Sequence, residues 1–520
     1  MLLLYLIFTS TKLKQVFRRA YLSMLVLNII TVYWISGWYG NDIFLKLGGI
    51  ATMLVHPLFF MLPVLLIYFA YKMFGKNIAL ILFPFIWVGF EFFHSSWQFS
   101  FPWLDLGNTE TYNLNRIQFI EITGTHGASF LICIVSAILF LAGTNLANRK
   151  WKFASSKTVV SFLSIVILII LPNIYSKHVL DEPNIFNKYN SSADSTKIIK
   201  ACIIQPNVDP FEKWKKMTNP DSLVDSYIKR LNDALRFNPQ LVVLHETSTP
   251  YYFFEQYYYY NSQKFIDYVN NNGKYLLMGI PHIYYYPDSI KAPSDSRKSK
   301  TGRIYDQFNS SVLIEPNKSP GEYTIHKKEK LVPFSERVPY QEYLPSFVRT
   351  WFTWGVGISS WQLGDNLDLF TMNNPALKSR AKFAALICYE SVFSDYVSES
   401  VKNGAEFFVI ITNDGWWGKT AGPVQHEQYA VLRAIENRKW IVRAAQTGIS
   451  CFIDPLGNET DRIDLNTEGI IVGNIYANSE ITFFSQHGDI IGRIGFYTSI
   501  MVLLTCIVFY VYIRKVRRKA

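Results

Sequence analysis

Charge is scarce in this chain: Asp, Glu, Lys and Arg make up 18% of 520 residues, against 49% hydrophobic and 16% aromatic. Cysteine is scarce too. None of the five (Cys133, Cys202, Cys388, Cys451 and Cys506) is spaced as C-x-x-C, so zinc ribbons and thioredoxin-like chemistry have no support. No G-x-S-x-G elbow, phosphate-binding loop, H-E-x-x-H or haem motif occurs, and those chemistries lack their signatures. Internal repeats and long low-complexity segments are absent. Residues 1–9 are apolar but too few to cross a bilayer alone. With no basic stretch before them and no small-residue cleavage site after, they do not read as a signal peptide.

Long apolar runs are present at about 21–38, 50–71, 77–93, 127–145, 158–175 and 493–513, and each is predicted to span a membrane. The net charge of +11 sits largely beside them: Lys12, Lys14, Arg18 and Arg19; Lys72 and Lys76; Arg149, Lys150, Lys152 and Lys157; Arg514, Lys515, Arg517, Arg518 and Lys519. That placement favours membrane topology over nucleic acid. Basic loops are predicted cytoplasmic, so 10–20, 72–76 and 146–157 lie inside, and 39–49 and 94–126 outside. The span at 158–175 then exports the middle of the chain, and the last span returns to a basic tail. Trp97, Phe101, Pro102 and Trp103 read either as interfacial anchors or as a lipid-entry rim.

The middle alternates short β-rich runs with helical stretches: 198–205, 241–245, 275–280, 311–315, 383–389 and 407–412 as strands, 221–235 and 425–437 as helices. The fold class is thus a polytopic α-helical membrane domain plus an exported α/β domain. Predicted domains are 1–175 (membrane helices), 176–195 (linker), 196–485 (catalytic) and 486–520 (last helix and tail). Residues 287–303, polar and rich in Ser and Lys, are predicted to form a mobile loop.

Three residues on this domain suggest acyl transfer. Cys388 ends the run 383–388, Glu246 ends the run 241–246, and Lys328 lies between them in the chain. A thiol of ordinary pKa, about 8.5, is mostly protonated at neutral pH and needs a base. The oxyanion formed on attack needs a donor or a cation. Taken singly, Cys388 reads more often as a buried structural thiol, Glu246 as a cap and Lys328 as a solvated charge. Spacing alone does not join them.

Their surroundings do. Gln205-Pro206-Asn207 with Lys213-Trp214, His245-Glu246-Thr247, Lys328 to Pro339 with its Leu-Val-Pro-Phe-Ser-Glu core, and Cys388-Tyr389-Glu390 form one set. Asn413 to Gly418, Gln425-His426, Arg433 to Glu436, Asp454 to Gly457 and Phe101-Pro102-Trp103-Leu104 complete it. Together they resemble the nitrilase (carbon–nitrogen hydrolase) superfamily. With the apolar spans, nearly the whole chain is similar to the apolipoprotein N-acyltransferase family. The resemblance implies an αββα sandwich, with Glu246 as general base, Lys328 supporting the oxyanion and Cys388 carrying the acyl group as a thioester. It implies supporting roles for Glu336, Tyr389 and Glu390, and substrate binding by Trp214, Asn413 and Trp416.

No cofactor or metal is implied. The implied partners are a phospholipid donor such as phosphatidylethanolamine and a diacylated lipoprotein acceptor, handled by a monomer in the bacterial inner membrane with its catalytic domain periplasmic. Two departures stand out. The family has a further apolar segment ahead of the one matching residues 1–9, which this chain is expected to lack, and His245 stands where the family often has proline. The aromatic run 251–260 reads as a lid entering the bilayer interface or as a packing helix. A membrane-tethered amidase and a non-catalytic membrane scaffold are the competing readings. The multi-span body argues against the first, and the retained triad against the second.

Overall fold

The computed structural model describes residues 1–37, 43–153, 155–182, 188–189, 197–216, 219–287, 291–345, 347, 361–374 and 379–519. Positions 39–42 of the predicted outer loop, 183–187 and 190–195 of the linker, 288–290 and the side chains of the basic tail lie outside the described residues. Two compact units emerge: Met1–Ser36, Gly49–Glu182 and His487–Ala520 form one, and Gly37–Gly48 with Pro183–Gln486 the other.

The first unit is helical. Among the described residues, five stretches are long and apolar enough to cross a membrane: Lys46–Phe74, Lys76–His94, Thr125–Ala147, Ser156–Asp181 and Ile490–Tyr512. The sixth predicted span, 21–38, is corrected. Its helix starts earlier and stops earlier, Leu13–Thr31, with Lys14, Arg18 and Arg19 in its first two turns, so its uncharged stretch is too short. Lys46–Phe74 is two helices, Ile43–Phe59 and Met61–Phe74. The break falls between Pro57 and Pro63, neither of which can donate a backbone N–H. Gly89 and Gly495 let two helices touch at the backbone. A Cβ on Gly89 would lie 2.4 Å from the Gly495 carbonyl carbon, the close approach small residues allow where lipid gives no hydrophobic drive. Along Ser156–Asp181 the most apolar window buries none of its residues against protein, so its exposed Ile170, Leu171 and Ile174 suit a lipid surround.

Trp103 is not an interfacial anchor. It is buried, with its ring 5.0 Å from that of Trp34, and Glu91 fixes the turn after it by accepting the Leu106 N–H at 3.0 Å.

The second unit is a two-sheet sandwich. Its strands are β1 (Ile198–Gln205), β2 (Leu241–Val243), β3 (Tyr275–Tyr285), β4 (Arg297–Lys298), β5 (Ile304–Ile314), β6 (Ile325–Lys327), β7 (Leu369–Asn374), β8 (Ser379–Ile387), β9 (Phe407–Thr412), β10 (Ile441–Ala445), β11 (Ser450–Ile453), β12 (Glu459–Ile463) and β13 (Gly469–Tyr476). One sheet runs β13-β1-β2-β3-β5-β4 with β6 on β5, the other β12-β11-β10-β9-β8-β7. Alternation decides which face is which. On β1, Ile199, Ala201 and Ile203 meet Phe383, Ile387 and Val409 of the other sheet. Cys202 and Ile204 face outward onto Leu223, Tyr227 and Phe265 of the helices Asp221–Ala234 and Tyr259–Asn272. The helices Ser394–Lys402 and Ala421–Asn437 belong with the second sheet, completing the expected αββα order.

Two loop expectations change. Asp295, within the predicted mobile segment, accepts hydrogen bonds from Arg337 and Gln341 (both 2.7 Å) and Gln362 (3.1 Å), so the described part of that loop is tied down. The aromatic run divides: Tyr251 and Phe253 are core, while Tyr257, Tyr259 and Tyr260 are exposed.

Candidate active site

Glu246 stands on the turn that leaves β2. Backbone bonds tie this turn to β3, from Gly279 N–H to the His245 carbonyl (3.1 Å) and from Ser248 N–H to the Gly279 carbonyl (2.7 Å). The packing admits no side chain at 279, where a Cβ would lie 2.6 Å from Glu246 Cα and 2.5 Å from Thr247 N. Thr247 takes φ 45°, a left-handed conformation that a β-branched residue rarely adopts. The buried Lys213 ammonium holds it, donating to Thr247 O (2.8 Å) and Oγ1 (3.1 Å), with Gln446 Oε1 as a further partner. Burial lowers Lys213 to about 7. His245 is buried as well, with Nε2 2.8 Å from the Tyr227 hydroxyl. Burial, then the Lys213 charge, holds His245 well below the usual histidine range. It acts as a neutral packing group where the family often has proline.

Lys328 follows β6, anchored by its N–H to the Asn309 carbonyl at 2.8 Å. Its Nζ lies between two carboxylates, 3.0 Å from Glu246 Oε1 and 2.9 Å from Glu336 Oε1. Asn309 Nδ2 bridges the same two oxygens at 2.7 and 3.1 Å. Glu336 also accepts the Val332 N–H (2.8 Å), closing the loop that returns it to the lysine. All four side chains are buried. Burial alone would lower Lys328, but the Glu246 and Glu336 charges outweigh it and hold it well above the usual lysine range. Burial, followed by repulsion from Glu246, raises Glu336 despite Lys328.

Cys388 comes directly after β8, at φ 51°. A side chain in that region costs about 1–2 kcal/mol, so neighbours must hold it there. Ser391 Oγ donates to the Cys388 carbonyl at 2.7 Å, and His426 Nε2 lies 3.1 Å from the same oxygen. Burial, then Glu246, raises the thiol well above its usual range, with Lys328 opposing. At rest the sulfur is a thiol that feels the charges of Glu246 and Lys328.

Glu390 ties the two sheets. It accepts the Ile387 and Glu329 N–H groups (both 2.7 Å) and faces His326 Nε2 at 3.1 Å. Burial opposes its ionisation, yet His326 and those donors hold it below the ordinary carboxylate range. Its contacts fix the backbone just before Cys388 and just after Lys328. Tyr389 is buried edge-on to Phe393, ring centroids 5.1 Å apart. Trp214 adjoins Lys213, whose Nζ is 5.9 Å from its ring centre. Trp416 packs edge-on to Phe211 at 5.1 Å, and Asn413 is buried at the end of β9. The structure thus joins Glu246, Lys328 and Glu336 by direct bonds and brings the Cys388 thiol under the charge of Glu246 and Lys328. Trp214 lies on the helix Pro210–Lys215 and Trp416 packs on its Phe211, both outside that bonded set.

Sequence reading missed Asn309, His326 and Thr412. Only Thr412 carried a signal, as the one polar residue ending the apolar run of β9; Asn309 and His326 sit among other polar residues of β5 and β6. Among the described residues, three groups of donor atoms lie close enough to hold a metal ion: Cys388, Asp414 and His426; Glu91, Asp105 and His126; Glu427, Cys451 and Glu459. In the first, Asp414 is already engaged by Arg443, His426 and Thr412, a hydrogen-bonded network in place of a metal's donor set.

Comparison with known proteins agrees with this architecture. Residues 200–481, just over half the chain, match the carbon-nitrogen hydrolase family, and residues 1–138 match the apolipoprotein N-acyltransferase N-terminal domain. An apolipoprotein N-acyltransferase of Chlorobaculum tepidum is 30% identical over 92% of this chain and 85% of its own length. Those of Geobacter metallireducens (28%; 92% and 84%) and Rickettsia prowazekii (25%; 83% and 78%) are similar over comparable shares. Among solved structures, an amidase from Nesterenkonia sp. AN1 aligns with 57% of this chain and 98% of its own at 13% identity, TM-score 0.37. Helical unit, sandwich and full-length relatives converge, and the chain belongs to the apolipoprotein N-acyltransferase family, with a carbon–nitrogen hydrolase domain at 200–481.

Proposed function

We propose that Cys388 carries an acyl chain, as a thioester, from a phospholipid to the α-amino group of a lipoprotein's diacylglyceryl-cysteine. The observation that carries this reading is Lys328 held between Glu246 and Glu336, with Cys388 under the charge of Glu246 and Lys328. Glu246 takes the Sγ proton, and sulfur attacks the ester carbonyl. Lys328 balances the oxyanion. The C–O bond then breaks, and the proton leaves on the lysophospholipid oxygen. In the second half the amine attacks the thioester, the C–S bond breaks, and the amine proton returns through Glu246 to sulfur. Burial of the site protects the thioester from water.

In this reading Glu336 and Glu390 are positioning residues, Tyr389 lines the site, and Trp214, Asn413 and Trp416 meet substrate. The five apolar helices and the family make this a multi-pass membrane protein. We place it in a bacterial inner membrane, with residues 196–485 on the periplasmic side, joined through 176–195 to membrane parts at 1–175 and 486–520. The favoured donor is phosphatidylethanolamine and the working form a monomer.

Intact-mass analysis of the purified protein with phospholipid tests the reading. An added acyl mass is expected, absent in Cys388→Ala and discharged by a diacylated lipopeptide. Discharge to water alone would replace the transferase with an amidase-type hydrolase, and no adduct at Cys388 would end the proposal.

A further inference from the structure

Thr412 is the last residue of β9, which runs parallel to β8 with Ile411 opposite Ile387. The next residues in that register are Thr412 and Cys388, so strand pairing itself sets the hydroxyl beside the thiol. Thr412 is fully buried. Its Oγ1 lies 3.3 Å from Cys388 Sγ and 2.8 Å from Asp414 Oδ1. Both neighbours accept hydrogen bonds, but a hydroxyl has one proton to give. The β-branched side chain keeps its oxygen in place, so only the O–H direction is free to change.

What surrounds Asp414 makes that turn inexpensive. Its Oδ2 takes a hydrogen bond from Arg443 Nη2 at 2.9 Å, and its Oδ1 faces His426 Nδ1 at 2.8 Å. The carboxylate stays paired when Thr412 turns away. A sulfur that has just gained an electron pair has a strong claim on a nearby donor. A neutral thiol or thioester sulfur is a weak acceptor and leaves the hydroxyl to Asp414.

We propose that the Thr412 hydroxyl is a catalytic hydrogen-bond donor to Cys388 Sγ, turning from Asp414 to sulfur each time sulfur becomes a thiolate. The proposal rests on Cys388 as the acyl carrier. In the first half-reaction Glu246 takes the Sγ proton and the Thr412 O–H turns to the thiolate, then back as the C–S bond forms. In the second, the amine's N–C bond forms, the C–S electron pair collapses onto sulfur, and the O–H turns to meet it. The Thr412 proton stays on Oγ1 throughout, and the amine proton reaches sulfur through Glu246. Asp414, Arg443 and His426 are positioning residues, keeping the hydroxyl beside sulfur without needing its proton.

The test uses the full-length protein in detergent, with wild type, Thr412→Val (isosteric, no donor) and Thr412→Ser (donor kept). Iodoacetamide alkylation of the Cys388 peptide is followed by mass spectrometry across pH. In T412V the alkylation midpoint should rise by about one pH unit, with alkylation about tenfold slower below it, the size of one hydrogen bond to a charged sulfur. T412S should recover most of the wild-type profile. In single turnover, discharge of the acyl-enzyme by a diacylated lipopeptide should slow in T412V by a similar factor. A T412V profile that overlays wild type overturns the proposal, as does a T412S profile displaced as far as T412V. Thermal unfolding checks the fold, and Thr412→Ala serves if the valine variant does not fold. Wild type that alkylates normally but never takes up an acyl mass would defeat the acyl-carrier reading instead. The profiles would still decide whether Thr412 donates to sulfur.

Discussion

Two buried carboxylate clusters meet at Cys388, and they are built to opposite ends. From the sheet carrying β2 and β6 come Glu246 and Glu336, sharing one ammonium, Lys328. From the sheet carrying β9 and β10 comes Asp414, with Arg443 and His426 to itself. In the first cluster two acids compete for one cation. Burial, then repulsion from Glu246, raises Glu336 despite Lys328. In the second, burial opposes the charge, but His426 and Arg443 win and hold Asp414 well below the carboxylate range. Glu336 in one cluster is pushed toward its neutral form, while Asp414 in the other is a fixed anion. The difference is set by the ratio of acids to cations, since both are fully buried.

Breaking the first cluster should have the larger effects. Glu246→Gln removes the base and should slow acyl-enzyme formation by about 10³-fold, read by single-turnover mass analysis. A smaller change would mean the proton leaves by another route. Lys328→Met leaves Glu246 and Glu336 facing each other without a cation and should destabilise the protein by about 3–5 kcal/mol. Adding Glu336→Gln should restore part of that in denaturant titration. Gly279→Ala should cost about 1–3 kcal/mol, because the new methyl meets Glu246 and Thr247 backbone. It should also slow acylation, since the carboxylate moves with its turn.

Asp414→Asn sharpens the contrast through pH. Asp414 has a depressed folded pKa, so its contribution is complete above the unfolded value of about 3.9 and is lost as pH falls through the folded value. The variant's thermal midpoint should therefore fall less steeply than wild type's below about pH 4, while lying lower near neutrality. Parallel acid limbs would show that Asp414 is not the locked anion.

Strands β1, β2, β3, β5, β8 and β9 were legible because their apolar runs are short and bounded, and β9 matches its predicted limits, 407–412; β4, β6, β7 and β10 to β13 were not named. The triad was legible through local motifs around Glu246, Lys328 and Cys388, whereas spacing alone left each with a bland role. What escaped was the support. Asn309, His326 and Thr412 bind through contacts 63, 64 and 24 residues away in sequence, and pairing register, which aligns Thr412 with Cys388, is a property of two strands together. The first span misled because an apolar run was judged by its end at 38, while the helix that forms there begins in the basic segment at Leu13.

Gly89 and Gly495 are separated by nearly the whole catalytic unit in sequence, yet their backbones touch, with Phe496 packed on Phe92 and Phe93. During synthesis the early helix Lys76–His94 therefore waits, its docking groove unfilled, until the ribosome has made everything up to residue 495. Assembly of the membrane bundle is thereby a late checkpoint. A chain halted inside the catalytic unit leaves Gly89 without its partner backbone.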